Sequence, residues 1–278
     1  MRGDSRQGLP PARKRLGQHF LTDRNALERI VEALQLEPGE TVIEIGPGRG
    51  ALTDILATRA GQLIALEIDP LLVPILQERY AAQPHVRIVE GDVLATSLDA
   101  LVDGAFALVG NVPYYITTPI IFQALRAPRP TRMVFLVQRE VAERIAAPPG
   151  DRAYGALSAN VQALAEVHIA GRVPAGAFHP KPKVDSAIIR LTPRTEPLMA
   201  PHEEAPFQKF VQAAFGRRRK QIRRVLREIF SLDAEQAESV LARCGIDPEA
   251  RPETLSPAGF LAILRHVAAA HGGDTTRR

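Results

Sequence analysis

A chain of 278 residues, 45% hydrophobic and 24% charged, has globular proportions and enough length for about two domains of roughly 150 residues each. It contains no apolar run of about 18 residues and no apolar stretch near its N-terminus, which argues against a membrane span or a secretory leader and for a soluble, cytoplasmic protein. The net charge of +4 is unevenly spread: seven basic residues lie between Arg217 and Arg227, and Arg2, Arg6, Arg13, Lys14 and Arg15 precede Leu16, a pattern that expects a polyanionic partner.

In chain order, residues 1–15 read as a flexible basic arm. Residues 23–34 then read as a helix with Leu27, Ile30, Val31 and Leu34 on one stripe. From residue 40 short apolar, β-branched runs alternate with helical segments: 41–46, 62–69, 86–92, 106–111 and 132–138. Nearly continuous apolar strands separated by helices demand a parallel sheet covered on both faces, a doubly wound α/β domain. The runs 166–173 and 185–191 lack a full helix between them and are expected as an antiparallel pair at one end of the sheet. Four prolines fall within 192–206, so a Pro-rich linker is placed at 193–206, between a domain spanning 16–192 and a small all-α domain spanning 207–278.

A helix is expected over 217–230. Ile222, Val225, Leu226, Ile229 and Phe230 would form its packed stripe, and Arg217, Lys220, Arg223, Arg224 and Arg227 its opposite face. Seven cations without an acid over 217–227 are one-signed for a merely solvated face, so this segment is expected to grip RNA phosphates.

The chemistry sits at the strand ends. The first strand runs into Gly46-Pro-Gly48-Arg-Gly50 and a helix, a turn that admits a ligand to the backbone or that serves tight packing alone. Glu67 ends the next strand, where such folds place a carboxylate on a ribose diol. A dinucleotide site wants Gly-x-Gly-x-x-Gly, and the spacing here disagrees; because the third glycine position holds Ala51, an allowed variant, that argument against it is only suggestive. The third strand ends in Gly91-Asp92, a carboxylate suited to an adenine amine, or a helix cap. Glycine, acid and acid on consecutive strand ends form the layout of an S-adenosylmethionine site.

The fourth strand ends in Asn111-Val112-Pro113-Tyr114-Tyr115. The exocyclic amine of a base is a poor nucleophile because its lone pair is delocalised into the ring. A methyl-transfer site must therefore hold that nitrogen with its lone pair exposed. The Asn111 side-chain oxygen and a backbone carbonyl near Val112 can accept the two N–H bonds, with Pro113 fixing the turn and Tyr114 stacking on the ring. Phe178 is expected as a second wall for a base drawn out of its stack, with core filling as its alternative. Cys244 is the only cysteine, and no two of the seven histidines show His-x-His or His-x-x-x-His spacing, so no metal site is expected.

With these residues in place, the chain resembles the ribosomal RNA adenine dimethyltransferase family, and most nearly its bacterial small-subunit branch. The likeness covers nearly the whole chain, through motifs at 16–21, 44–50, 67–69, 91–92, 111–114, 138–141, 153–155, 178–186 and 215–222. It implies a Rossmann-like class I S-adenosylmethionine-dependent methyltransferase domain followed by a small helical RNA-binding domain. It implies that Gln18, His19, Leu21, Gly46, Gly48, Glu67, Ile68, Asp92, Val93 and Asn111 contact S-adenosylmethionine, and that Asn111 to Tyr114, with Phe178, handle the target adenine. RNA contacts are expected from Arg13, Lys14 and Arg15 and from Arg217, Arg218, Arg219, Lys220, Arg223, Arg224 and Arg227. The partner implied is 16S rRNA in small-subunit precursors; a monomer is expected because no long apolar stripe is left over for self-association. The sequence departs from the family pattern at His19, where Asn is common, and at Val112 and Tyr115, which replace Leu and Asn. The developed second domain and the basic run argue against the large-subunit branch that confers macrolide resistance, and the intact Asn-x-Pro-Tyr at 111–114 argues against a non-catalytic ribosome-assembly or transcription-factor relative.

Overall fold

The structure is a computed structural model that describes residues 10–13 and 16–272. Lys14, Arg15 and most of the expected N-terminal arm lie outside the described residues.

The elements follow in order: β1 (Phe20–Leu21), α1 (Arg24–Leu34), β2 (Thr41–Ile45), α2 (Ala51–Leu56), β3 (Gln62–Glu67), α3 (Val73–Tyr80), β4 (Val86–Glu90), β5 (Phe106–Gly110), α4 (Thr117–Ala124), β6 (Arg132–Gln138), α5 (Arg139–Ala146), α6 (Ala156–Leu164), β7 (Ala165–Val173), β8 (Phe178–His179), β9 (Ser186–Pro193), α7 (Pro201–Phe215), α8 (Ile222–Phe230), α9 (Ala234–Arg243) and α10 (Pro257–Gly272). All five strands expected from the apolar runs form. No helix among the described residues is long and apolar enough to cross a membrane.

The chain divides into two compact units, residues 1–142 with 167–193, and residues 143–166 with 194–278. In the first, a seven-stranded sheet has the order β4-β3-β2-β5-β6-β9-β7. Strands β2 to β6 pair in parallel, and β9 pairs antiparallel with β6. The two runs expected at one end are adjacent there, as β9 and β7. The chain winds outward from β2 through β3 to β4, then returns to β5 on the other side of β2. That reversal opens a crevice outside the carboxyl ends of β2 and β5, where ligands of such sheets bind. Every residue of β5 is buried, as a strand covered on both faces requires.

Helix α1 begins where Asp23 accepts the Ala26 amide hydrogen bond at 2.9 Å, buries Leu27, Ile30, Val31 and Leu34, and stops at Gln35 in the left-handed conformation. The two-residue β1 pairs with β8, Phe20 opposite His179 and Leu21 opposite Phe178. Strands this short carry no periodicity, so the sequence reading left them out.

The second unit corrects the expected boundaries in three places. Residues 143–166 belong with the C-terminal helices rather than with the sheet domain. The reason is apolar: Tyr154 is fully buried, stacks edge-on against Phe215 at 5.7 Å, and donates its hydroxyl to the Leu255 carbonyl. Phe210 likewise meets Phe230 and Phe260 at 5.0 and 5.6 Å.

The expected linker also ends early, because Pro201 opens α7 at a position where a missing N–H costs nothing. Glu203 receives the Ala200 amide and both Arg265 donors, and Arg265 together with that amide holds its carboxyl down to about 2.

The helix expected over 217–230 starts late. α7 stops at Phe215, residues 216–219 turn, and extended Gln221 precedes the helix that begins at Ile222. Arg217 reaches back to the Ala213 carbonyl at 3.1 Å, which places its charge on the unpaired carbonyl end of α7. The apolar stripe of Ile222, Val225 and Leu226 is buried as expected.

Candidate active site

A cavity of about 600 Å³ opens along the carboxyl ends of β2, β3, β4 and β5. All the residues expected to contact the donor line it: Gln18, His19, Leu21, Gly46, Gly48, Glu67, Ile68, Asp92, Val93 and Asn111; so do Val112, Pro113 and Tyr114. Its size suits a nucleoside-scale ligand.

The floor is the turn after β2. Gly48 has φ +58°, and a Cβ there would come 3.1 Å from the Phe20 ring, so both the backbone and the space demand glycine. The Gly48 amide donates to Glu67 Oε2 at 2.9 Å, while Glu67 Oε1 accepts the Asp69 amide at 2.8 Å. Burial pushes the Glu67 carboxyl upward, against the pull of these two amides. The turn is further tied to α3. Arg79 donates to the Arg49 carbonyl at 2.9 Å, and the Tyr80 hydroxyl reaches Asp54 at 2.7 Å.

Asp92 behaves as a turn residue, its Oδ1 accepting the Leu94 amide at 2.9 Å, and no α-helix follows for it to cap.

The segment before α1 closes one side. Gln18 donates to Asp69 Oδ2 at 3.0 Å and Arg13 to Asp69 Oδ1 at 2.7 Å; Arg49 donates to the Pro10 carbonyl and lies 4.4 Å over the Phe20 ring. Burial works to raise the Asp69 carboxyl, but the Gln18, Leu71 and Arg13 hydrogen bonds outweigh it and hold the group below the usual range. Arg13, expected on RNA, therefore has an acid within the protein as its partner: Asp69 is almost wholly buried and captures the guanidinium.

Asn111 follows β5 directly. Its amide nitrogen donates to the His19 carbonyl at 3.0 Å, which fixes the side chain and leaves Oδ1 as an acceptor. His19 in turn is held by Nδ1, 2.7 Å from the Pro180 carbonyl, and so carries its proton there. The Tyr114 ring lies nearly parallel to the His19 ring, 17° between planes and 6.1 Å between centroids. Its hydroxyl is 2.6 Å from Ser186 Oγ, which is fully buried at the start of β9.

Phe178, expected as the second aromatic wall, lies elsewhere. It is 4% exposed, sits in the apolar core with Leu27 and Leu21, and does not line the cavity. Pairing of β8 with β1 holds it inward, and the aromatic neighbour of Tyr114 is His19.

The sequence reading assigned no role to Glu44 or Ser186. Glu44 lines the cavity at 1% exposure with Oε2 unpartnered, and burial pushes its carboxyl up to about 8. The signal was an acid inside an otherwise apolar strand. Because the folded state holds this proton more tightly than the unfolded chain, the stability it contributes is complete below about pH 4.5 and is lost as pH rises through about 8. Glu44→Gln removes the titration at nearly constant volume. Thermal melts from pH 5 to 9 are expected to show the variant gaining on the parent as pH rises; parallel curves would contradict a buried proton at Glu44.

Ser186 makes the second prediction. Ser186→Ala leaves the Tyr114 hydroxyl without its partner and frees the ring to turn, so turnover is expected to fall about 5- to 10-fold, one hydrogen bond's worth. Ser186→Thr should restore most of it. Steady-state methylation kinetics check both, and an alanine variant with unchanged turnover removes Ser186 from the site.

Comparison with known proteins identifies the family. The model of the ribosomal RNA adenine dimethylase family matches residues 11–269. The chain belongs to this family. Among its relatives is the ribosomal RNA small subunit methyltransferase A of Moorella thermoacetica, 44% identical over 272 residues and covering 93% of each chain. That of Geobacter sulfurreducens is 41% identical over 278 residues, covering 98% of this chain and 99% of its own. Among solved structures, a dimethyladenosine transferase from Plasmodium falciparum superposes with a TM-score of 0.81 at 26% identity, covering 91% of this chain and 98% of its own. The 23S rRNA methyltransferase ErmE gives 0.72 at 32%, covering 90% and 99%. As a dimethylase of this family, the chain is an S-adenosylmethionine-dependent enzyme, and the glycine turn, the buried acids and the unpartnered Glu44 oxygen fit that donor.

Proposed function

We propose that this protein dimethylates the exocyclic amines of two adjacent adenines in the 3′-terminal hairpin of 16S rRNA, acting in the cytoplasm as a monomer on small-subunit precursors. The observation that carries the reading is the Asn111 amide, turned by the His19 carbonyl so that its oxygen can accept from an amine in the cavity. The relatives named for the small subunit, at 41–44% identity over nearly the whole chain, support the choice of substrate. ErmE, at 32%, supports a large-subunit alternative less well.

When bound, S-adenosylmethionine supplies an electrophilic methyl on sulfonium. Glu67 and Gly48 would hold its ribose end, with Ile68 and Val93 beside the adenine ring and Asp92 at that ring's amine. Asn111 Oδ1 and the Val112 carbonyl accept the two N–H bonds of the target amine and so turn its lone pair toward the donor. The Pro113 carbonyl is already engaged by the Ile116 amide at 3.1 Å, so it keeps the turn in shape. Tyr114 offers its ring face to the base. No charged base is required, because the proton leaves from an amine made acidic by alkylation. The same acceptors serve a monomethylated amine, which needs one of them. Four transfers complete two adenines.

The test is transfer of tritiated methyl to small ribosomal subunits lacking the modification. About four methyl groups per particle are expected from four amine N–H bonds, and none on large subunits. Label on large subunits alone would overturn the reading.

Phosphate contacts are assigned to the second unit, on fewer cations than its sequence carries. Arg217 and Lys220 pair with Glu228 at 2.8 and 2.5 Å, Arg218 pairs with Glu253, and Arg223 meets Glu249 at 3.4 Å. Among the described residues Arg219, Arg224 and Arg227 are exposed and make no ion pair. Replacing these three by alanine is expected to flatten the slope of log K against log salt by about 2 to 3, near 0.7–0.9 per phosphate. RNA-binding titrations at several salt concentrations measure it. An unchanged slope removes these arginines from the interface.

A further inference from the structure

The large apolar side chains left in water are concentrated where the first unit binds its ligands. Ile68 follows β3 at 47% exposure, Leu71 lies three residues on, Leu94 follows β4, and Tyr115 follows β5 at 64%. Ile68 and Tyr115 line the mouth of the cavity itself. An aromatic ring so far from burial contributes little to folding, so its place at the lip calls for a ligand.

The position of Tyr115 is built rather than accidental. Gly17, at φ +61°, lies against the ring: a Cβ there would stand 3.0 Å from Tyr115 Cε1 and 3.4 Å from Pro113 Cβ. A side chain at 17 would be strained at this positive φ and would crowd the ring. The turn at 114–116 fixes the backbone, with the Ile116 amide bonded to the Pro113 carbonyl. Neighbouring Tyr114 is held inward by Ser186, so consecutive tyrosines divide: one ring faces the cavity and the other the solvent at its edge.

We infer that Tyr115 is a stacking platform for the RNA base next to the one in the cavity, namely the second adenine of the adjacent pair while the first is being methylated. This rests on the proposed substrate. The observations favour a base over a phosphate, because a phenol ring offers an apolar face and no charge. They favour the neighbouring base because Tyr114 and Tyr115 are adjacent along the chain, as the two adenines are along the RNA. Stacking on an aromatic ring tolerates any base and adds roughly tenfold in affinity per base, so the platform holds the next target close between turnovers.

The experiment measures affinity of the full chain for two RNA hairpins. One carries both adenines, and in the other the neighbour of the target is an abasic nucleotide. The parent protein is expected to bind the abasic hairpin about tenfold more weakly, in line with loss of one stacked base. Tyr115→Ala should bind both alike, at the weaker level, and Tyr115→Phe should behave as the parent. Thermal melts check that the variants fold, which an exposed position favours. If Tyr115→Ala still loses tenfold on the abasic hairpin, or the parent loses nothing, the platform is overturned. If the parent prefers neither hairpin to an unrelated one, the substrate assignment itself fails, and the inference with it.

Discussion

Asn111→Ala is expected to lower methyl transfer by about 10²- to 10³-fold, the range seen when one preorganised polar contact to a reacting group is removed, while donor affinity changes by no more than about threefold. The asymmetry follows from what the amide touches. Its nitrogen is committed to the His19 carbonyl at 3.0 Å, which leaves its oxygen free for the role proposed above, accepting from the reacting amine. Alanine removes the acceptor that exposes the lone pair and leaves the Gly48–Glu67 floor intact. Asn111→Asp sharpens the test, because it keeps an acceptor oxygen but sets a carboxylate against the His19 carbonyl. The side chain should then turn away, and activity should fall nearly as far as with alanine. Single-turnover rates, measured beside donor titrations, separate the two effects. Equal losses of rate and donor affinity would contradict the role given to Asn111.

Glu67 should produce the opposite split. Both of its oxygens receive backbone amides, from Gly48 at 2.9 Å and Asp69 at 2.8 Å, and its side chain is nearly inaccessible. Glu67→Ala deprives the glycine turn of its anchor and, in the proposed site, the ribose of its acceptor. A hydrogen bond to a charged group contributes about 1.5–3 kcal/mol, so donor affinity is expected to fall roughly 10- to 150-fold. Glu67→Gln is not a mild change. An amide has one acceptor oxygen, so its NH₂ must face one of the two backbone N–H groups, and the loss should approach that of alanine. Calorimetric titration with the donor measures it, and affinity retained in Glu67→Ala would remove the carboxylate from the binding site.

Much of this site was legible before any coordinates. The parallel strands show as apolar runs because both faces of the sheet are covered, and chemistry in such folds gathers at the strand ends, so Gly46, Gly48, Glu67, Asp92 and Asn111 could be named from their places there, whereas Gln18, His19, Leu21, Ile68 and Val93 came only with the family resemblance. The rest depended on contacts distant in sequence. Nothing local marks Phe178 as core: its burial comes from pairing with a two-residue strand more than 150 positions away. The Ser186 partner of Tyr114 and the Asp69 partner of Arg13 are likewise 72 and 56 residues off. The late start of α8 was missed for a different reason. Arg217 to Gln221 are good helix formers with an apolar stripe beyond them, so the expected helix was begun at 217, whereas Arg217 folds back onto the end of α7 and extended Gln221 delays the start of α8 to Ile222. Charge counting overstated the RNA face because Glu228, Glu249 and Glu253, the acids that neutralise part of it, lie after the run.

The most direct measurement is a crystal structure of the protein with a donor analogue and an RNA hairpin carrying the two adenines. The account predicts the target N6 within about 2.7–3.2 Å of Asn111 Oδ1, the amide nitrogen still on the His19 carbonyl, and the base against Tyr114. An adenine seated with its amine away from Asn111, or an amide rotated to present nitrogen to that amine, would contradict it.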